Sequence, residues 1–116
     1  MINKNSKILI TGGSGLVGQN LTERLINEGY TNLRVNLHRR VVRHHYDNVE
    51  YTYHDLQTYD GCMDAVRNVD VVFHAAASTS NAVDTVVDPL AHVTPNVAMN
   101  NFLIDAAWRN EVGHYI

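Results

Sequence analysis

The sequence is poor in the residues from which several kinds of functional site are built. Cys62 is the only cysteine among 116 residues, which excludes an intrachain disulfide and a cysteine-based metal site. Lysine occurs only at Lys4 and Lys7, and no basic stripe accompanies the formal net charge of −3, so nucleic acid is not an expected partner. Apolar runs are too short to span a membrane, and the first residues lack the pattern of a signal peptide. These absences predict a cytoplasmic protein with no membrane partner.

Spacing excludes two further kinds of site. His44 and His45 are adjacent and have no cysteine or carboxylate at ligand spacing, so we predict no metal site. The Gly-Ser-Gly run at residues 13–15 is not a nucleophile elbow, because the G-x-S-x-G pattern needs glycine where Leu16 stands.

The most informative segment is a glycine-rich turn between an apolar run and a helical pattern. Residues 8–10 read I-L-I and predict a strand that is buried on both faces. Residues 11–18 then read T-G-G-S-G-L-V-G, and we predict a helix over residues 14–28 that ends before Gly29. The apolar stripe expected along that helix consists of Leu16, Val17, Leu21, Leu25 and Ile26.

This order of strand, glycine turn and helix favours a dinucleotide site over an ordinary connection. We expect Gly12 and Gly13 to adopt dihedrals closed to other residues, and Gly18 to let the helix pack closely on its strand. Gly15 would let a pyrophosphate approach the backbone amides at the helix start, which favour an anion. The residues assigned to the pyrophosphate site are Gly12, Gly13, Ser14, Gly15, Leu16, Val17 and Gly18.

The second predicted strand, residues 33–38, ends in basic residues. Dinucleotide-binding folds commonly place an acidic residue there, which accepts hydrogen bonds from the ribose. This chain has His38, Arg39 and Arg40 instead, and no carboxylate between residues 29 and 46. A guanidinium makes bidentate contacts with phosphate, so these residues favour NADP, with NAD as the alternative cofactor. A solvated basic turn is the other interpretation.

The glycine motif resembles the T-G-x-x-G-x-x-G signature of the extended short-chain dehydrogenase/reductases, which include nucleotide-sugar epimerases, dehydratases and reductases. Three later segments resemble the same family, so the resemblance extends over almost the whole chain. They are D-L at residues 55–56, V-V-F-H-A-A-A at residues 71–77 and N-V-A-M-N-N-F-L-I-D-A-A at residues 96–107. The last segment lacks the usual Gly-Thr and is similar to the variant in GDP-fucose synthase-like reductases.

The resemblance implies roles for the adenosine half of the cofactor. Asp55 would bind the adenine amino group and Leu56 would pack on the ring, although Asp55 could instead cap a helix predicted over residues 58–67. The small residues Ala75, Ala76 and Ala77 would lie beside the adenosine ribose, or would only reflect tight packing.

Further roles follow from the resemblance near the substrate cleft. Asn96 would contact the cofactor, and Ser78 and Thr79 are candidate contacts in a loop expected over residues 78–88. We interpret His74 as a packed core histidine rather than a catalyst.

The implied fold is a Rossmann-like α/β domain with helices on both faces of a parallel sheet. We expect the strand order 3-2-1-4, a long helix that begins near residue 90 or near Pro95 and ends at Arg109, and the start of a fifth strand at residues 114–116. The helix that carries Asn96 would take part in a possible homodimer.

The family's catalytic Tyr-x-x-x-Lys is absent, because both lysines precede the glycine turn. We therefore expect residues 1–116 to be the amino-terminal part of an NAD(P)-binding domain, inactive alone and truncated before the catalytic Ser and Tyr. The parent enzyme would transfer a hydride between NADP and a nucleotide sugar as an epimerase, dehydratase or reductase. A non-catalytic dinucleotide sensor or scaffold is the alternative.

Overall fold

A parallel sheet of five strands forms the centre of the molecule in the computed structural model, which describes residues 2–79 and 81–116. The strands are β1 (Ile8–Thr11), β2 (Leu33–Asn36), β3 (Glu50–Thr52), β4 (Val71–His74) and β5 (His114–Tyr115). Their order across the sheet is β3-β2-β1-β4-β5, and every neighbouring pair is parallel. The Rossmann-like topology predicted from the sequence is confirmed.

Helices cover both faces of this sheet. They are α1 (Leu16–Asn27), α2 (Tyr59–Ala65), α3 (Ala82–Val87) and α4 (Val93–Arg109). Side chains of the central strand alternate between two cores: Ile8 and Ile10 pack with Leu25 of α1, whereas Leu9 packs with Leu103 of α4. Within the described ranges, no helix is long and apolar enough to cross a membrane.

The buried face of α1 differs from the predicted stripe. Gly18, Thr22 and Leu25 are the buried residues of this helix, whereas Leu16 is 75% exposed and Val17 is 65% exposed. The prediction was wrong for these two residues because small residues, rather than the largest apolar ones, allow the start of the helix to lie against the sheet. Leu16 and Val17 therefore face solvent at the mouth of the glycine turn.

The ends of α1 and α2 are set by local chemistry. Gly29 has a φ of +88°, a conformation that favours glycine, and α1 ends immediately before it as predicted. Thr58, not Asp55, caps α2: its side chain accepts a hydrogen bond from the Gly61 amide at 3.0 Å. The interpretation of Asp55 as the cap is therefore wrong.

The segment expected to be an irregular loop contains the short helix α3. Asn81 caps it by accepting a hydrogen bond from the Asp84 amide at 2.9 Å, and this capping pattern is visible in the sequence. Ser80, within the same predicted loop, lies outside the described residues. Pro95 is in the first turn of α4, where its missing N–H is tolerated.

The edge strand β3 is attached at both of its ends. Glu50 forms ion pairs with Lys7 and with Arg34, the latter at 3.0 Å, at the amino end of the sheet. Partial burial alone would raise the pKa of Glu50. Hydrogen bonds from Lys7 and Arg34 outweigh this and hold the pKa of Glu50 below its ordinary value. At the carboxyl end, the buried side chain of Asn36 bonds to Thr52 and to the backbone of His54. Because the side chains of Asn36 and Arg34 both have hydrogen-bond partners, β2 tolerates these polar residues although the sheet is covered on both faces.

Candidate dinucleotide-binding site

The segments selected by sequence meet at one edge of the sheet. All strands are parallel, so the glycine turn after β1, the basic segment after β2, Asp55 after β3 and the alanines after β4 follow the same ends of their strands. In open α/β sheets ligands bind outside these carboxyl ends. The fold thus gathers the predicted cofactor residues along one side of the molecule.

Gly12 lies in backbone contact with the segment after β4. Its φ is +65°, and a Cβ atom built on it would stand 2.6 Å from the Ala75 carbonyl oxygen and 2.7 Å from the Ala76 nitrogen. Gly18 also contacts the glycine turn, because a Cβ atom at Gly18 would overlap the Gly12 carbonyl oxygen. Gly18 therefore allows the helix to approach the glycine turn itself.

Gly13 is required for space rather than for its dihedrals. Gly12 and Gly29 are the glycines with positive φ in the described ranges, so the expectation of such dihedrals at Gly13 is wrong. A Cβ at Gly13 would overlap the side chain of Val35, and the Gly13 amide donates to the Asn36 carbonyl at 3.1 Å. The turn is thereby packed onto the end of β2.

The start of α1 is open to an anion. Gly15 is the N-cap and supplies no side-chain cap, and its own amide donates to the Gly12 carbonyl at 3.0 Å. A Cβ at Gly15 would find one neighbour within 4 Å, the Gly12 oxygen at 3.3 Å, so its outer side is free. The exposed Leu16 and Val17 begin the helix, where backbone amides lack intrahelical acceptors and the helix dipole favours negative charge.

Thr11 connects β1 to β4 through its side chain, a role that sequence reasoning missed. Its hydroxyl oxygen accepts hydrogen bonds from the amides of Ala75 and Ala76, both at 3.1 Å, and lies 2.7 Å from Nδ1 of His74. Since both lone pairs are used by the amides, the hydroxyl proton is left to donate to Nδ1. A hydroxyl residue at the end of a buried apolar strand is the signal that points to such a partner.

The same network assigns the tautomer of His74 and reaches α4. With Nδ1 as an acceptor, the neutral ring carries its proton on Nε2, which lies 2.8 Å from Oδ1 of Asn100. His74 is thus partly buried and bonded at both nitrogens, rather than packed in the core as expected. The Thr11, His74 and Asn100 side chains join β1, β4 and α4 at the carboxyl edge.

Asn96 holds the loop that follows the alanines. Its Oδ1 accepts from the Ser78 amide and its Nδ2 donates to the Ser78 carbonyl, both at 2.8 Å, while Nδ2 also donates to His92. The side-chain amide is therefore occupied by the protein itself. Its contact with a cofactor stays a prediction, and the structure adds a role for Asn96 in orienting the Ser78 backbone.

Asp55 and Leu56 differ in their access to solvent. Asp55 is exposed, and its carboxylate accepts a hydrogen bond from the Gln57 amide at 2.9 Å. Leu56 is only 6% exposed and packs in the core with Leu9 and Cys62, so its side chain is not free to cover an adenine ring as expected. Binding of the adenine amino group by Asp55 stays a prediction.

The segment after β2 carries unpaired positive charge. His38, Arg39 and Arg40 are all exposed. In residues 2–79 and 81–116, every ion pair of an arginine involves Arg24, Arg34, Arg67 or Arg109, which leaves Arg39, Arg40 and Arg43 without one. Three guanidinium groups without ion-pair partners, at the same edge of the sheet as an open helix start, suit a ligand that carries several phosphates.

Comparisons with known proteins show the family and the fold. The model of the NAD dependent epimerase/dehydratase family matches residues 8–116. The sterol-4-alpha-carboxylate 3-dehydrogenase (decarboxylating) of Mus musculus is 33% identical over 78 residues, which cover 66% of this chain and 20% of that protein. The family match therefore includes every site segment described above.

Two solved structures have the same fold over nearly the whole chain. Pen from Bacillus thuringiensis has a TM-score of 0.82 and 25% identity, covering 99% of this chain and 38% of the other. A UDP-galactose 4-epimerase has a TM-score of 0.78 and 28% identity, covering 94% of this chain and 36% of the other. This chain spans well under half the length of these relatives. With its Rossmann-like sheet, its glycine turn and a family match over residues 8–116, the chain belongs to the NAD dependent epimerase/dehydratase family.

Proposed function

We propose that this chain is the dinucleotide-binding part of an NADP-dependent enzyme that acts on a nucleotide sugar. The observation that carries the proposal is the uncapped start of α1 together with the unpaired Arg39 and Arg40, which follow β2 at the same edge of the sheet. A helix start binds a pyrophosphate, and arginines without carboxylate partners favour a cofactor with an additional 2′-phosphate. NAD is the alternative cofactor, and the family model is named for it.

Each part of the cofactor has residues of suitable chemistry. The amides of Leu16 and Val17 would hold the pyrophosphate, with Gly12, Gly13, Ser14, Gly15 and Gly18 shaping the turn around it. Arg39 and Arg40, next to His38, would hold the 2′-phosphate. Asp55 would accept a hydrogen bond from the adenine amino group, and Ala75, Ala76 and Ala77 would lie beside the ribose. When bound, the dinucleotide supplies the hydride acceptor or donor, and the residues of this chain position it.

The substrate class and the extent of the protein are part of the proposal. The name of one neighbour is that of a UDP-galactose epimerase, which supports a nucleotide sugar, although the mouse relative is named for a sterol carboxylate. Residues 1–116 would be the amino-terminal part of the NAD(P)-binding domain, in a cytoplasmic protein. The exposed Val97, Ile104 and Trp108 of α4 are compatible with a homodimer through that helix.

The cofactor assignment is tested by titrating the chain with NADPH and with NADH, followed by nucleotide fluorescence. We expect tighter binding of NADPH, and a loss of about tenfold or more in its affinity for an Arg39→Ala/Arg40→Ala variant, since each phosphate contact is charge-assisted. Arg24→Ala is the matched control, because Arg24 is exposed and pairs with Glu28 at the far end of α1. Equal binding of the two cofactors, or an equal loss in the control, would contradict the NADP assignment.

A non-catalytic dinucleotide sensor is the second candidate function. The residues proposed above would position the dinucleotide in a sensor as well as in an enzyme. Sequence of the parent gene beyond residue 116 separates the two candidates: a Tyr-x-x-x-Lys there supports the enzyme, and its absence supports the sensor.

A further inference from the structure

One side chain connects the glycine turn to the basic segment. Gln19 follows Gly18 in α1, and its Nε2 donates to the Ser14 carbonyl at 2.9 Å. Its Oε1 accepts a hydrogen bond from the Arg43 amide at 2.8 Å. The two ends of the Gln19 amide thus bond to the turn that would receive the pyrophosphate and to the segment that would receive the 2′-phosphate.

Apart from this bond, the two halves of the basic segment, residues 38–45, differ in their contacts with the rest of the protein. Its second half lies near aromatic residues: Val42 packs on the α1-side core, and the ring of His45 lies 4.4 Å from that of Tyr51. Its first half is exposed from His38 to Val41. The positions of Arg39 and Arg40 therefore depend on the points where the segment is held, namely Leu37 before them and Val42 and Arg43 after them.

Packing alone does not hold the Arg43 end against α1. A cavity of about 380 Å³ lies between α1 and this segment, and both Gln19 and Arg43 line it. Glu23 and His44 are also in its wall, so much of the wall is polar. The bond between Gln19 and the Arg43 amide spans this gap. Without it, the segment loses its direct link to the glycine turn.

We infer that Gln19 is a positioning residue that sets the preference for NADPH over NADH, an inference that rests on the proposed function. Gln19 does not touch the 2′-phosphate. It fixes the distance between the helix start and the segment that carries Arg39 and Arg40, so that one cofactor can reach both. Its loss therefore weakens binding of the cofactor that uses both places and spares the cofactor that uses only the helix start.

The experiment compares Gln19→Met with Asn20→Leu in the full chain. Methionine keeps the length of glutamine without its hydrogen bonds. Asn20 is the matched control, because it neighbours Gln19 and its side chain bonds within α1, to the Leu16 carbonyl at 2.7 Å. NADPH and NADH affinities are measured for each variant, together with amide hydrogen exchange at Arg43 and the unfolding midpoint.

We expect Gln19→Met to accelerate exchange of the Arg43 amide and to weaken NADPH binding about fivefold, with NADH binding within about twofold of the parent. Asn20→Leu should leave both affinities unchanged. Unchanged exchange at Arg43, or an equal loss for both cofactors, would overturn the inference. A parent chain that binds NADH as tightly as NADPH would refute the proposed cofactor, whereas a preference abolished by Arg39→Ala/Arg40→Ala but kept by Gln19→Met would refute only the role of Gln19.

Discussion

The two halves of the candidate cofactor site are built in opposite ways. At the junction of β1 and β4, Thr11 is fully buried, its hydroxyl is saturated by hydrogen bonds, and Gly12 touches the backbone of Ala75. At the end of β2, Arg39 and Arg40 are exposed, and the Gln19 side chain bridges the segment to α1. The first region is part of the packed fold, and the second is attached to it.

Because of this difference, we expect substitutions in the packed region to change mainly stability, and substitutions in the exposed segment to change mainly the preference between cofactors. A change at the junction of β1 and β4 disturbs buried polar groups and close backbone contacts, so it costs folding free energy before it affects any ligand. A change in the exposed segment removes charge from solvent and leaves the core intact. At the proposed site, pyrophosphate binding would therefore be tied to folding, whereas preference between cofactors would change independently of it.

The largest expected effect in the packed region is that of Gly18→Ala. A Cβ at Gly18 would overlap the Gly12 carbonyl oxygen, so we expect a loss of about 3 kcal/mol in unfolding free energy. This loss opposes the gain of about 1 kcal/mol that alanine brings to a helix interior. Urea unfolding measures it. In the control Gly113→Ala, the new Cβ would lie 3.5 Å from the Asp70 carbonyl oxygen, an ordinary contact, and stability should change little.

A direct contrast between the two regions is Thr11→Val against Arg39→Ala/Arg40→Ala. Valine has nearly the shape of threonine but cannot accept the hydrogen bonds of the Ala75 and Ala76 amides, so we expect a loss of about 2 kcal/mol in unfolding free energy. The double arginine variant should stay within about 0.5 kcal/mol of the parent, because it changes only exposed charge. Similar losses in both variants would remove the distinction drawn between the regions.

A third effect is expected at alkaline pH, from the core cluster that contains Leu9 and Cys62. Burial, and then the charge of Asp55, raises the pKa of the Cys62 thiol from 9.0 to about 11. The unfolded chain then releases this proton first, so stability present below pH 9.0 is lost as the pH rises to about 11. Burial, with a further contribution from Cys62, likewise raises the pKa of Tyr115 to about 12.

Urea unfolding at a series of pH values checks this slope. Cys62→Ser serves as the control, because serine keeps a donor for the Leu56 carbonyl, which the thiol approaches at 3.2 Å, but does not titrate in this range. The variant should lose less stability between pH 9.0 and about 11 than the parent. An identical slope in both proteins would show that Cys62 is not the titrating group.

Features that depend on neighbouring residues could be predicted from the sequence. The turn of residues 11–18 and the end of α1 before Gly29 follow from glycine positions, and the strand order follows from the family resemblance. The burial of α1 could not be predicted from apolar spacing, since Gly18 and Thr22, rather than Leu16 and Val17, face the sheet. The close approach of the α1 backbone at Gly18 to the glycine turn determines which face of α1 is buried.

Contacts between distant residues were beyond the sequence. Thr11 bonds to residues more than sixty positions away, and Asn100 replaces a residue of the family motif yet meets His74 across the sheet edge. Such pairs show no periodicity along the chain. The basic residues after β2 were apparent from composition, but the Gln19 bond that places them requires the fold.

The attachment of β3 has a consequence for strand alignment. This strand has only three residues, and a shift by one position would turn each side chain to the opposite face of the sheet. Such a slip would move Glu50 away from Lys7 and Arg34, and would move Thr52 away from Asn36. Ion pairs stabilise the native alignment at the amino end of β3, and hydrogen bonds between neutral side chains stabilise it at the carboxyl end. Mispaired forms of this edge therefore lose both sets of contacts together, which selects a single register during folding.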